Sequence, residues 1–167
     1  MNDLDQKQDA KEFAINAHAE AGQLYGTQPY WVHLLAVVNV IRRFGLDLIC
    51  PEIIPAAWLH DVVEDTKVTI EEIEYLFGKK VAKLVLAVSK LEGKNRKEKN
   101  KIANAKMKAA GMYAVALKLC DRIANVENGG PLVSMYQEEQ AEFRKSLETK
   151  GELTEVWFHL DRLLKKK

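Results

Sequence analysis

Apolar positions recur every three to four residues almost from end to end, the period of a helix face. The first such stretch, about 5–21, is amphipathic, with Phe13, Ile15, Ala17 and Ala21 toward one side. "GQLYGTQP" (22–29) ends it, because glycine and proline interrupt a helical ladder. A second helix is expected from about Tyr30 to Phe44, carrying Leu34, Leu35, Val37, Val38 and Ile41, with Gly45 as its cap. Pro51 and Pro55 open a third, which runs on through "AAWLHDVVEDT" to Thr66. Thr69 and Glu72 have capping-box spacing and start a short helix that ends near Gly78. Residues 81–88, 112–127, 132–149 and about 152–165 complete the set, the last repeating Val156, Trp157, Leu160 and Leu164. The pattern contains no pair of alternating strands, no internal repeat and no linker. The fold class is all-α.

One segment departs from that rhythm. Residues 90–108, "KLEGKNRKEKNKIANAKMK", carry eight Lys or Arg against two Glu, a local excess of six positive charges. Few apolar residues there argue for a solvated loop and helix face rather than a core element. The sharper reading is an electropositive lip, with Lys94 and Arg96 drawing a phosphorylated substrate. Over the whole chain of 167 residues the net charge is only +1, so the balance gives no reason to expect nucleic acid or an anionic membrane as partner. Apolar residues make up 47% and charged residues 29%, ordinary values for one globular domain of residues 1–167. Cys50 and Cys120 lack metal-type spacing and fit a reducing, cytoplasmic setting. The N-terminus is polar and acidic, unlike a signal peptide, and no apolar run approaches the length of a membrane span.

Against this background a few polar residues stand out. Ala56, Ala57, Trp58, Leu59, Val62 and Val63 suit a core, yet His60, Asp61, Glu64 and Asp65 sit among them, and burying unpaired charge is costly. On a helix Glu64 follows His60 by one turn and Asp65 follows Asp61, so the four can crowd one sector. His33 lies in the apolar helix 30–44, and Asp121 in "VALKLCDRIANV", with Asn125 one turn beyond. Alone, each has a bland reading: a satisfied core histidine, or acids on a solvated face. Three separate helices, however, each push a metal-capable side chain into apolar surroundings, and one shared ion accounts for all three. Imidazole and carboxylate donors suit Mn²⁺, Fe²⁺, Ni²⁺ or Zn²⁺.

These residues also carry a resemblance. "AHAEAGQ…PYWVH" at 17–33, "HDVVEDT" at 60–66 and "KLCDRIAN" at 118–125 resemble the HD superfamily, in its RelA/SpoT-type hydrolase branch, which includes small alarmone hydrolases. Coverage runs from about residue 10 to 150, with the helix 152–165 beyond it. The resemblance implies an HD helical bundle with one Mn²⁺ held by His33, His60, Asp61 and Asp121. Glu64 and Asp65 match the pair that positions and activates water, while Lys118 and Asn125 match positions in the substrate pocket. The implied reaction is metal-dependent removal of the 3′-pyrophosphate of guanosine tetra- and pentaphosphate (ppGpp and pppGpp).

Three positions depart from the family pattern. Tyr25 stands where the loop usually carries a basic residue, offering a stacking face for a base but no charge for phosphate. Leu34 replaces a proline, and Cys120 an alanine. Two further readings follow: an HD phosphohydrolase acting on another phosphorylated nucleotide, such as NADPH or a nucleoside phosphate, and a nucleotide-binding module without turnover. The last helix is the candidate surface for a homo-oligomer.

Overall fold

The computed structural model describes residues 3–165 of the chain, and helices account for most of it. Helix α1 (Asp3–Glu20) leads into an antiparallel ribbon, β1 (Leu24–Tyr25) and β2 (Gln28–Pro29), with Tyr25 opposite Gln28. Then come α2 (Trp31–Arg43), α3 (Ile53–Leu59), α4 (Val62–Asp65), α5 (Ile70–Phe77), α6 (Lys79–Val88) and α7 (Arg96–Ala110). Helices α8 (Met112–Asn128), α9 (Leu132–Leu147) and α10 (Thr154–Lys165) follow.

Helix α8 is the axis of the bundle. Every residue from Ala114 to Val126 is buried, so the helix is surrounded on all sides, and it packs against α2, α3, α6, α7, α9 and α10. Charged residues at Lys118, Asp121 and Arg122 are carried into the interior with it. One apolar cluster extends from Ala10 on α1 to Leu164 on α10.

Several local signals act as the sequence predicts. Thr69 and Glu72 form both bonds of the capping box at the start of α5. Gly45, at φ +65°, turns the chain after α2 in a conformation other residues resist.

The structure corrects other expectations. The short ribbon lies inside "GQLYGTQP", where strands were not expected; two residues per strand are too few to give a period. On α1 the fully buried residues are Ala10, Ala14 and His18, one helical turn apart; the expected Phe13 and Ala17 are partly buried against the same core, while Ala21 is exposed. The basic segment does reach the core: Ala103 and Met107, again one turn apart, are fully covered on α7, and Lys106 Nζ donates to the Ser89 carbonyl at 2.9 Å. Ala110, at the end of α7, is partly buried against the same core. Finally, the helix expected through residues 56–66 is broken at His60–Asp61, between α3 and α4.

Candidate metal centre

The break after α3 has a local cause and a local use. In an unbroken helix the Ala57 carbonyl would accept the Asp61 amide. Instead it lies 2.7 Å from His60 Nδ1, which donates to it. That bond leaves Nε2 as the nitrogen with the lone pair, aimed inward, and Nε2 is buried with no hydrogen-bond partner. His60 is 1% exposed.

Two other elements meet it. His33, on α2, is 2% exposed and places Nε2 3.2 Å from Asp121 Oδ1, on α8. His60 Nε2 lies 3.7 Å from that same oxygen. One donor atom from each of His33, His60 and Asp121 falls within 4.8 Å of the other two. The fourth expected ligand, Asp61, stands at the edge of this trio, its Oδ2 3.0 Å from His60 Nε2 and 3.6 Å from His33 Nε2. Tyr30 holds it there, donating its hydroxyl to Asp61 Oδ2 at 2.6 Å.

The electrostatics favour positive charge at this point. Burial opposes the charged form of His60, but the Asp61 and Asp121 carboxylates outweigh it and raise its pKa well above the ordinary value. Burial also works against ionised Asp121, yet the Lys118 ammonium and the two imidazoles hold it well below the usual carboxylate range. Lys118 is buried and its Nζ lies 2.6 Å from Asp121 Oδ2, so it neutralises the oxygen that faces away from the histidines. A divalent cation between two inward nitrogens and two carboxylates fits this donor set.

The remaining predicted residues are divided. Asn125 joins the centre, its Nδ2 donating to Asp121 Oδ1 at 2.9 Å. Tyr25 joins too, its ring stacked on His33 at 4.9 Å and its hydroxyl bonded to Asn125. Asp65 is half-buried, and burial followed by the Asp61 and Glu64 charges raises its pKa to about 6. Glu64 does not crowd the same sector. It is exposed and accepts the Lys90 backbone N–H at 2.6 Å, because the break rotates α4 out of register with α3. Arg96 is turned to Glu139, Nε to Oε1 2.6 Å, and the Lys94 backbone N–H donates to Glu98 at 2.9 Å.

Three residues of the centre were missed by sequence reasoning. Tyr30 precedes His33 by one turn, which was legible as a shared face. His18 stacks on Tyr30 at 4.3 Å with both ring nitrogens buried and without hydrogen bonds, and its place was signalled by the Ala10–Ala14 spacing. Lys90 is largely buried near Lys118, Arg96 and Arg122, and burial followed by these cations lowers its pKa to about 8. No local pattern distinguishes it from the lysines that follow.

The chain is similar to several known proteins. The HD-domain pattern matches residues 10–160. A guanosine-3′,5′-bis(diphosphate) 3′-pyrophosphohydrolase of Aquifex aeolicus is 40% identical over 124 residues, 72% of this chain and 17% of that protein. The bifunctional (p)ppGpp synthase/hydrolase SpoT of Escherichia coli is 36% identical over 127 residues, 72% of this chain and 18% of its own. The chain thus spans under a fifth of the length of these curated relatives. Among solved structures, a metazoan ortholog of SpoT that hydrolyses ppGpp superposes with a TM-score of 0.77 at 22% identity, covering 96% of this chain and 94% of the other. A Listeria monocytogenes protein, lmo0812, gives 0.66 at 23% identity, over 83% and 96%. At these identities the likeness is one of fold.

Proposed function

We propose a function from one premise: the chain belongs to the HD-domain family. HD-domain hydrolases are metal-dependent, and the buried His33–His60–Asp121 trio is the observation that carries the reading here. The ligand set is His33, His60, Asp61 and Asp121, and the ion is Mn²⁺. The reaction is hydrolysis of ppGpp or pppGpp to release pyrophosphate from the 3′ position, supported by the activities that relatives at 36–40% identity are named for.

A divalent ion held there supplies Lewis acidity toward a phosphoryl oxygen and toward water. The chain's own residues do the rest. His60 is fixed in one tautomer by the Ala57 carbonyl, and Asp61 in one rotamer by Tyr30. Asp65, with its pKa near the working pH, accepts the proton of the attacking water. Glu64 ties α4 to the start of the basic loop through Lys90 and so positions Asp65. Lys90, Lys94 and Lys118 form the cationic side that receives the phosphates, Lys118 lying closest to the ligands. Arg96, although paired with Glu139, adds a further cation beside Lys90.

Among the described residues no helix is long and apolar enough to cross a membrane. Self-association through α10 would use its outer face, where Phe158 is exposed while Val156, Trp157, Leu160 and Leu164 are buried inward.

The test is product analysis with purified protein, Mn²⁺ and a nucleotide panel. The expected result is GDP and pyrophosphate from ppGpp, absent when the ion is chelated. Turnover of NADPH or a nucleoside 3′-phosphate with ppGpp left intact would transfer the site to that substrate. Binding of every nucleotide with turnover of none would make it a binding module.

A further inference from the structure

We infer that Tyr25 is a positioning residue: it latches the β1–β2 ribbon across the metal centre and, through Asn125, sets the orientation of Asp121. The inference rests on the reading of His33, His60 and Asp121 as metal ligands. It also gives Tyr25 a task other than stacking on a nucleotide base.

The ribbon needs an anchor. It has two residues per strand, far below what holds by strand pairing alone. Leu24 is 60% exposed, and Gln28 and Pro29 are exposed too, so no apolar plug secures it. Tyr25 is the residue turned inward. Its ring lies nearly parallel to the His33 imidazole, 27° apart at 4.9 Å, and edge-on to Tyr30 at 6.4 Å. Its hydroxyl donates to Asn125 Oδ1 at 2.9 Å, joining residues 100 apart in the chain.

The far side of Asn125 gives this bond its meaning. Nδ2 donates to Asp121 Oδ1 at 2.9 Å and to the Asp121 carbonyl at 3.1 Å. Asp121 Oδ1 is the oxygen that faces His33 Nε2 at 3.2 Å. A side-chain amide has one acceptor end and one donor end, and here each is matched. With Tyr25 donating to the oxygen, the NH₂ is directed at the carboxylate. The opposite flip would set an amide oxygen against an aspartate oxygen. The Asp121 oxygens, which only accept, therefore fix the amide orientation, and the Tyr25 hydroxyl, donating to Asn125 Oδ1, holds that amide against the ligand oxygen facing the histidines.

Tyr25 and Tyr30 together form a clamp. Tyr30, at the junction of the ribbon and α2, holds Asp61, and Tyr25 reaches Asp121 through Asn125. Hydrogen bonds to ligands set their geometry and basicity, and loss of such a partner costs about 10- to 100-fold in metal affinity or activity. Tyr25 acts one bond further out, so a smaller effect is expected. The net value of one hydrogen bond corresponds to roughly 2- to 12-fold.

A double-mutant cycle tests this, read by the electron paramagnetic resonance of free Mn²⁺ and by steady-state kinetics on ppGpp. The four proteins are wild type, Tyr25→Phe, Asn125→Ala and the double variant. Tyr25→Phe keeps the ring and is expected to weaken Mn²⁺ binding roughly 2- to 12-fold. It should lower kcat with little change in KM, and its penalty should vanish in the Asn125→Ala background. Equal Mn²⁺ affinity in wild type and Tyr25→Phe would overturn the inference, as would the same penalty in both backgrounds. An effect confined to KM would also overturn it, by placing the hydroxyl on the nucleotide. A wild type that binds Mn²⁺ but leaves ppGpp intact would defeat the substrate reading alone, and the Mn²⁺ cycle would still decide this one.

Discussion

Asp121 and Arg122 are neighbours on α8, about 100° apart around the helix, and each heads a cluster of buried charge. The clusters differ in what they leave unmatched. Arg122 Nη2 donates to Glu139 at 3.1 Å, and Arg96 and Asn100 donate to that same carboxylate. The rest of the guanidinium lies over Phe143, 3.6 Å from its centroid, and over Tyr136 at 4.6 Å, where ring faces attract the cation. Its Nε and Nη1 have no hydrogen-bond partner and lie under that aromatic cover, so what this side leaves unmatched is N–H donors of a cation. Around Asp121 the donors and acceptors do not close either. Two inward imidazoles and two carboxylates converge, and His60 Nε2 has no hydrogen bond. Buried charge by itself marks no site; a surplus of lone pairs aimed at one point does.

The acids beside the first cluster provide the largest expected effect. Asp65→Asn removes the proton acceptor without changing shape and should lower kcat roughly 10²- to 10⁴-fold, with metal content unchanged. Glu64→Gln can still accept the Lys90 N–H and should lose much less. Steady-state kinetics on both variants settle the order. A reversed order would make Glu64 the base and Asp65 the structural acid.

The second cluster should answer in stability instead. Glu139→Ala leaves Arg122 buried without its carboxylate, a change costing about 3 kcal/mol, the low end of the range because water reaches Glu139. At this chain length that lowers Tm by roughly 6–12 °C in a thermal melt. Unchanged Tm would show that the aromatic rings alone hold Arg122.

His18 sits behind the first cluster and sharpens the contrast through pH. Burial lowers its folded-state pKa to about 4, so the native protein refuses a proton that the unfolded chain takes at an ordinary 6.5. Stability from this source is complete above about pH 6.5 and is lost as pH falls toward 4, by up to about 3 kcal/mol. His18→Phe keeps a ring for stacking on Tyr30 and should remove that part of the acid loss. Urea denaturation of both proteins at pH 7 and pH 4.5 measures the difference.

The smallest effect belongs to the outer lysines. Lys94→Glu and Lys97→Glu should each raise KM for ppGpp by at most about fivefold, the ceiling for exposed charge pairs, and should weaken its salt dependence. A KM that is flat across a salt series would return residues 90–108 to a merely solvated face.

Much of this was legible in the sequence, and the reasons are physical. Helix period and caps are local, so α2, α5, α8 and α10 were readable, as was the convergence of His33, His60 and Asp121. The break at His60–Asp61 was not, because a histidine ring capturing the Ala57 carbonyl leaves no trace in residue spacing. Crowding His60, Asp61, Glu64 and Asp65 into one sector failed for that reason. The hydroxyls of Tyr25 and Tyr30 find partners 100 and 31 residues away, which no local pattern encodes. Arg122 was unremarked, since it is distinguished from Asp121 only by what α9 brings to it.

The most direct test is elemental analysis and Mn²⁺ titration of wild type beside Asp61→Ala, Asp121→Ala and Glu139→Ala. One tightly held ion per chain is expected in wild type and in Glu139→Ala, and its loss, together with ppGpp hydrolysis, in Asp61→Ala and Asp121→Ala. Full occupancy in both aspartate variants, or equal loss in Glu139→Ala, would contradict this expectation.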